Sequence, residues 1–576
     1  MITRGNNFTQ IDLNVVGSSV FGRYPKISIE KTYNMFESDS FLVPYSGYQQ
    51  VISSNRFNNG KEGRAIFTST KFNRIVSVID NNVYLININY DLNLAKIISS
   101  QIINIGQLQT YSGVVYITEN NKPQILISDN QSLYIYDTTL SPAFQIVSDL
   151  NFTPGYITFH DTYFICAASN DTTYSIASPA NNTWRLSNSN QGETGNWPST
   201  SANVGLLQTK PDNVKAVVRF PSKGNMIFVM GSIVTEAWLD TGAQLFPYQR
   251  NNQFNIDYGC LSPATVAYMD EIVVWLAQNE KSGPIILYSD GGVPKKITTD
   301  GIDFLFSSLQ NPQDSQAFLY RQDGHLFYHI NFYSDNISLF YDFNTDKFYH
   351  ASDQDLNYFI AAEVAFFNEQ YYFVTRNNGY LFAFDTSFMT YDYINKVNQV
   401  ERKEIPRIRS CKNIRLPSQD YFIANDVGFT IETGETNYLQ QTTGAIRLIT
   451  QDGHPLISQD TDEGLLVSQD GQYFISQDGV NFLSQQVVNK EPSHFIAQQP
   501  AYLPLSQSTP CVDLSISYDG GATFGTEWRY WLPGIGQRRN RLMWWQCGMA
   551  NDMVCQFKFW SIGRAVCTDG QVNVRF

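Results

Sequence analysis

The sequence predicts an all-β protein built around a six-bladed β-propeller, with an extended N-terminal arm and a small inserted β-module. Three observations predict it. Short β-branched or aromatic runs end repeatedly at Asn, Asp or Gly turns, aromatic residues make up 14% of the chain against 16% charged, and helical periodicity is weak throughout.

The hairpins carry most of that reading. Ile75–Ile79 runs into Asp80-Asn81-Asn82 and out through Val83–Ile86. Tyr371–Val374 runs into Asn377-Asn378-Gly379 and out through Tyr380–Asp385. Asn, Asp and Gly tolerate the positive φ that tight hairpin turns need. Over 61–420 such hairpins recur at a spacing suited to four-stranded blades of roughly 40–60 residues, and six would fill the interval. A pair of β-sandwiches is the rival, but it leaves so many consecutive hairpins unexplained.

The flanks differ. Residues 1–60 read as an extended arm broken by Pro25, Pro44 and Gly47. Residues 421–505 read as an inserted module in which Ser/Thr-Gln-Asp recurs at Thr450, Ser458, Ser468 and Ser476, with a decayed copy at Ser484. Short apolar strands such as Leu465-Leu466-Val467 separate the copies, and the module is acidic. Residues 506–576 return to the earlier style, are rich in Trp, and are expected to complete the propeller or a ring interface.

Of 576 residues, 39 are Lys or Arg and 53 Asp or Glu, a net charge of −14. Globular domains average about 25% charged residues, so Asn, Gln, Ser and Thr must supply the polar surface here. The aromatic content excludes a disordered chain, and the scarcity of Ala, Glu, Lys and Leu patterning excludes a helical array. The acidic balance argues against tight nucleic-acid binding, whose affinity comes from cations neutralising phosphates. DNA sliding past without sticking is compatible with it. Neither a signal peptide nor an apolar run of about 18 residues is found, so no membrane span is expected. The seven cysteines, without a Cys-x-x-Cys pair, read as buried reduced thiols of a protein made in cytoplasm.

Ser517, Asp519, Gly521, Thr523 and Phe524 fit the Asp-box pattern S-x-D-x-G-x-T-[WF]. In such a turn the carboxylate caps backbone N–H groups and glycine takes a positive φ. Sialidase-like glycosidases carry these boxes, which makes a glycosidase acting on host-surface glycans the enzyme alternative. The box is a turn brace remote from chemistry, however, and no carboxylate pair facing a cleft can be singled out. His325 and His329 alternate as on a strand, which would set them about 13 Å apart, too far for one metal. With no phosphate loop, nucleophile elbow or zinc spacing, no cofactor, metal or catalytic residue is expected.

Two basic islands interrupt the acidic total. One holds Arg402, Lys403, Arg407, Arg409, Lys412 and Arg415; the other, Arg538, Arg539 and Arg541, runs into Trp544 and Trp545. The plain reading is a solvated strand edge. The functional reading is a subunit interface or a DNA-channel lining, and Arg beside Trp, the usual interface anchors, favours the interface.

The chain resembles one family, the packaged-DNA stabilisation proteins or tail hubs of short-tailed bacteriophages. The resemblance rests on Thr32–Phe36 with Leu42–Tyr48, then Gly231–Trp238, Phe246–Arg250, Asp257–Cys260, Val274–Leu276, Lys296–Ile302, Asp323–Tyr328, Tyr341–Thr345 and Arg541–Gly548, in shared order. It spans about 25–415 and 510–576 and leaves out the inserted module. It implies a β-propeller subunit of the virion tail, assembled as a hexameric ring below the portal and head–tail adaptor. That ring would continue the DNA channel, retain packaged double-stranded DNA, and carry tail fibre, tailspike or needle proteins. A receptor-binding role for the insertion is compatible with it.

Overall fold

The computed structural model describes residues 8–24, 30–91, 96–173, 179–220, 223–243, 245–386, 390–394, 400–416, 418, 420–433, 511–532, 539–560 and 564–575. The expected all-β propeller is what the chain forms. Six antiparallel sheets take their propeller strands from one continuous stretch. They start at Gly63–Ser69, Tyr116–Glu119, Thr153–His160, Val214–Arg219, Gly259–Cys260 and Ser315–Gln322. A seventh sheet, Ala361–Phe367, Gln370–Thr375 and Leu381–Asp385, receives its fourth strand from far away, Gly47–Ile52. The first strands of most successive sheets adjoin; the fourth and fifth sheets meet through Met226–Gly231 and Gly259–Cys260, the fifth and sixth through Ala267–Met269 and Ser315–Gln322, and the seventh adjoins the first, so the ring is closed.

The turns behave as their residues dictate. Asp80, Asp161, Asp270, Asp323 and Gly379 all take positive φ at hairpin corners. The blade faces pack through aromatic rings: Tyr48, on the strand from the arm, lies 5.2 Å from Phe373 and 5.5 Å from Phe382 between centroids, edge to face.

The sheet of the sixth blade does not stop at its fourth strand. It continues through Lys31–Tyr33, Arg407–Ser410, Val554–Trp560, Cys511–Ser517 and Trp528–Trp531. A second sheet, Met35–Ser38, Phe41–Pro44, Ala565–Arg575, Phe422–Thr433 and Arg539–Trp545, faces this extension, with Thr9–Leu13 and Met549–Ala550 added at its sides. Val427, Phe429, Val512, Leu514, Phe557 and Val572 fill the space between them. This is a β-sandwich grown from a propeller blade.

The sandwich revises three boundaries. The arm is no free extension, since its strands lie in both sandwich sheets and in the seventh blade. Residues 407–410 leave the propeller for the sandwich, and Phe422–Thr433, assigned to the insertion, is a strand between two neighbours. The described strands between 511 and 575, expected to complete the propeller or a ring interface, belong to the sandwich sheets and not to the propeller. The reason is pairing: Ala565–Arg575 meets Phe422–Thr433 along its length and Thr9–Leu13 on its other edge. The Ser/Thr-Gln-Asp repeats lie outside the described residues.

Arg409 pins the arm. Its Nε donates to the Val15 carbonyl at 2.9 Å, Nη1 to the Ser18 carbonyl at 2.9 Å and Thr32 Oγ1 at 3.0 Å. Nη2 donates to the Asn14 carbonyl and to Glu30 Oε2, each at 2.7 Å. A Cβ at Gly17 would stand 2.5 Å from Nη2, so the chain can pass here only as glycine. Asn34, at φ 55°, bridges the arm to the propeller, donating to Ser352 Oγ and the Pro406 carbonyl. Replacing Arg409 by Ala leaves Glu30 and three carbonyls without their donor, and is expected to lower stability by about 3–5 kcal/mol. Urea unfolding measures it; a loss below about 1 kcal/mol would mean the arm is held by other contacts.

Candidate functional site

The structure divides the basic islands. Arg407 and Arg409 are fully buried, because their strand lies inside a sheet with the second sandwich layer over it. They are therefore corrected from channel or interface residues to sandwich interior. Trp544 is corrected likewise: its indole is buried and donates to the Trp528 carbonyl at 2.9 Å. Arg402 and Lys403 sit on the edge strand Val400–Glu404, and Lys412 is exposed. Arg415 pairs with Asp552. Arg538 lies outside the described residues.

What remains at the surface is a stripe on the edge strand Arg539–Trp545. Arg539, Arg541 and Trp545 are exposed and alternate on its outer face, Trp545 at 64%. Arg539 stands 3.7 Å from Glu432 and 3.8 Å from Asp569, both well exposed, so neither pair holds it firmly. Close by, Trp528, Tyr530 and Trp531 are exposed on the edge strand of the other sheet, a feature the islands alone did not point to. Two neighbouring sheet edges thus present aromatic and arginine side chains together.

The Asp box forms the brace its pattern dictates. Asp519 Oδ1 accepts the N–H groups of Ala522 and Thr523 at 3.0 and 2.9 Å and the Ser517 hydroxyl at 2.6 Å, while Oδ2 accepts the Thr523 hydroxyl at 2.6 Å. Gly521 takes φ 89° and donates to Ser517 Oγ, and Phe524 is half-buried. These bonds hold the Asp519 carboxyl far below the usual aspartate range. Both oxygens are committed to the turn, and the turn belongs to the sandwich. His325 bonds Asp342 and Ser38, His329 bonds Asn331, and among the described residues no group of His, Cys, Asp and Glu could hold a metal.

The propeller itself presents a polarised face. Loops leading into first strands, and those joining second to third strands, emerge on one side. They carry Glu62, Asp80, Asp212, Asp335, Asp353 and Asp355 against Lys61, Lys210, Lys281 and Arg376. Many of these acids serve the loops: Asp80 accepts from Glu62 N–H, Asp212 from Ile233 N–H, Asp335 from Gln310 N–H, Asp353 from Asn357 N–H. At the centre of this face the channel opens as a cavity of about 220 Å³ lined by Glu62, Arg64, Tyr116, Asp314, Gln316 and Arg376. Arg64 is spoken for by the carbonyls of Gly113, Thr110 and Asp80.

On the first strand of the seventh blade lies Glu363, which sequence reasoning missed. The only signal was a lone acid in the apolar run Ala361–Phe367. Its Oε2 accepts the Ile66 N–H at 3.0 Å across the seam between last and first blades. The protein around it withdraws enough water to push its carboxyl up to about 7. Because that lies above the ordinary value of 4.5, the folded chain binds a proton that the unfolded chain releases, and stability falls as pH rises from about 4.5 through 7. Glu363→Gln is expected to flatten that decline, raising the melting temperature at pH 8 while changing it little at pH 4.5. An unaltered pH profile would contradict the assignment.

A family model described as bacteriophage P22 Gp10, beta-propeller, matches residues 81–387. No curated protein matches. Among solved structures, the chain is similar to the N-terminal domain of Nup159 at 11% identity and TM-score 0.35, covering 64% of this chain and 99% of that one. A catalytically inactive virginiamycin B lyase from Staphylococcus aureus with quinupristin matches at 10% identity and TM-score 0.39, covering 59% and 98%. The WD40 repeats of RRP9 match at 10% identity and TM-score 0.32, covering 59% and 99%.

Proposed function

We propose a function from one premise: the chain belongs to the bacteriophage P22 Gp10 β-propeller family and is a phage structural protein. On this reading it is the tail hub of a short-tailed phage, made in the host cytoplasm and built into the virion tail. Six copies form a nozzle ring under the portal and head–tail adaptor, extend the DNA channel, help retain packaged DNA, and anchor tail fibres, tailspikes or a needle.

The observation that carries this reading is the family match over most of the propeller. The charge distribution supports it. A net charge of −14 and an acidic propeller face repel phosphate, so a duplex passing a wall of such subunits meets little adhesion. The exposed Arg539, Arg541 and Trp545, beside Trp528 and Trp531, have the composition of a subunit contact. The Asp box lends a glycosidase no support, because its carboxylate only braces its own turn.

Native mass spectrometry of the purified full chain tests the ring. The unaltered chain is expected at six copies, and the double variant Arg539→Glu, Arg541→Glu at one copy with an unchanged melting temperature. A ring that persists in the variant removes this edge from the contact, and an unaltered chain that stays monomeric and is absent from virions ends the hub reading.

A further inference from the structure

A second cavity, of about 400 Å³, opens on the acidic face in the seam between the sixth and seventh blades. Its wall comes from three loops: Asn336 in a turn of the sixth blade, 353–360 between the blades, and 376–378 at a hairpin of the seventh. Sites for small ligands run from roughly 300 to 1,000 Å³. The wall is braced from within. Asn336 Nδ2 donates to Asn357 Oδ1 at 2.8 Å, and its Oδ1 accepts the Tyr358 N–H at 2.7 Å. The Tyr358 ring meets Tyr333 edge to face at 5.0 Å, and the Arg376 guanidinium lies 4.0 Å from the Tyr333 ring centre.

The polar groups of this wall keep capacity unused. Asp353 spends Oδ1 on the N–H groups of Asp355 and Asn357, while its Oδ2 has a long contact of 3.4 Å with Asn357 Nδ2. Gln354 donates to Asp355 and Asn377 to the Tyr358 hydroxyl, which leaves Gln354 Oε1 and Asn377 Oδ1 as acceptors. The Tyr358 hydroxyl, accepting there, still has its own proton to donate. Asn378 is exposed and its amide bonds no described residue, so it offers both a donor and an acceptor.

These unused groups select the ligand. An ammonium group only donates and a phosphate only accepts, so each would leave part of the set unmatched. Arg376, the cation of this wall, is already paired with Asp314 at 2.7 Å, so nothing offsets Asp353 against an anion. A hydroxyl both donates and accepts, and adjacent hydroxyls on one ring present both functions side by side. Ile360 and the Tyr358 ring, each half-buried in the wall, supply apolar surface for the C–H face of such a ring.

We propose that this seam binds a neutral sugar ring, whose hydroxyls meet Asp353, Gln354, Asn377, Asn378 and the Tyr358 hydroxyl. The site goes beyond the hub reading and does not require six-fold assembly.

Saturation-transfer difference NMR on the full chain tests it. The probes are glucose, galactose, mannose, N-acetylglucosamine and rhamnose, each free and as its methyl glycoside, at millimolar concentration. At least one is expected to receive saturation. The double variant Gln354→Ala, Asn378→Ala is expected to bind that probe about tenfold more weakly, as the loss of two hydrogen bonds implies. Neither side chain bonds the backbone, so the variant's melting temperature is expected to stay unchanged. Equal binding of a free sugar and its glycoside identifies the ring alone as sufficient; binding of the glycoside alone identifies the end of a glycan. Absence of binding by every probe, equal binding to the double variant, or displacement of the bound sugar by equimolar putrescine or inorganic phosphate overturns the proposal.

Discussion

The propeller closes with a strand it must borrow. Gly47–Ile52 hydrogen-bonds to Leu381–Asp385, more than three hundred residues away in the chain, and supplies the fourth strand of the last blade. Without it the sheet would end on Leu381–Asp385, a buried apolar strand whose open backbone edge would invite unintended pairing. Closure also fixes everything attached to the arm. The strands just before it, Thr9–Leu13, Lys31–Tyr33, Met35–Ser38 and Phe41–Pro44, lie in the two layers of the sandwich, so the two units share one segment of chain. Rigidity follows from continuity, because the sixth blade and one sandwich layer are a single sheet of nine strands.

That dependence explains which parts of the fold were legible. Hairpins could be read because their causes are local: a β-branched run, then Asp80 or Gly379 at positive φ, then another run. Blades made of consecutive hairpins were therefore countable. The borrowed strand left no local trace, since Gly47-Tyr48-Gln49-Gln50-Val51-Ile52 is an ordinary strand whose partner is set only by the closed ring. Contacts of such separation are entropically expensive to form and slow to find.

The candidate surfaces show the same limit. Six cations in fifteen residues look like surface, yet Arg407 and Arg409, two apart on one strand, both turn inward where a second layer covers them. Arg409 is tolerated there because five acceptors from the arm surround it, and those acceptors come from Asn14 to Thr32, outside any local window. The Asp box was legible in full since every bond of its turn lies within eight residues. Glu363 was not, because its partner, the Ile66 N–H, lies on another blade far away in the chain.

The central claim is that Gly47–Ile52 belongs to the propeller's cooperative core. Native-state hydrogen exchange on the full chain measures it most directly, by comparing the amides of 47–52 and 381–385 with those of the sixth blade, 315–332. The account predicts that all three exchange only on global unfolding, with the same free energy of opening. Exchange of 47–52 through a low-energy local opening, while 381–385 and 315–332 stay protected, would contradict it.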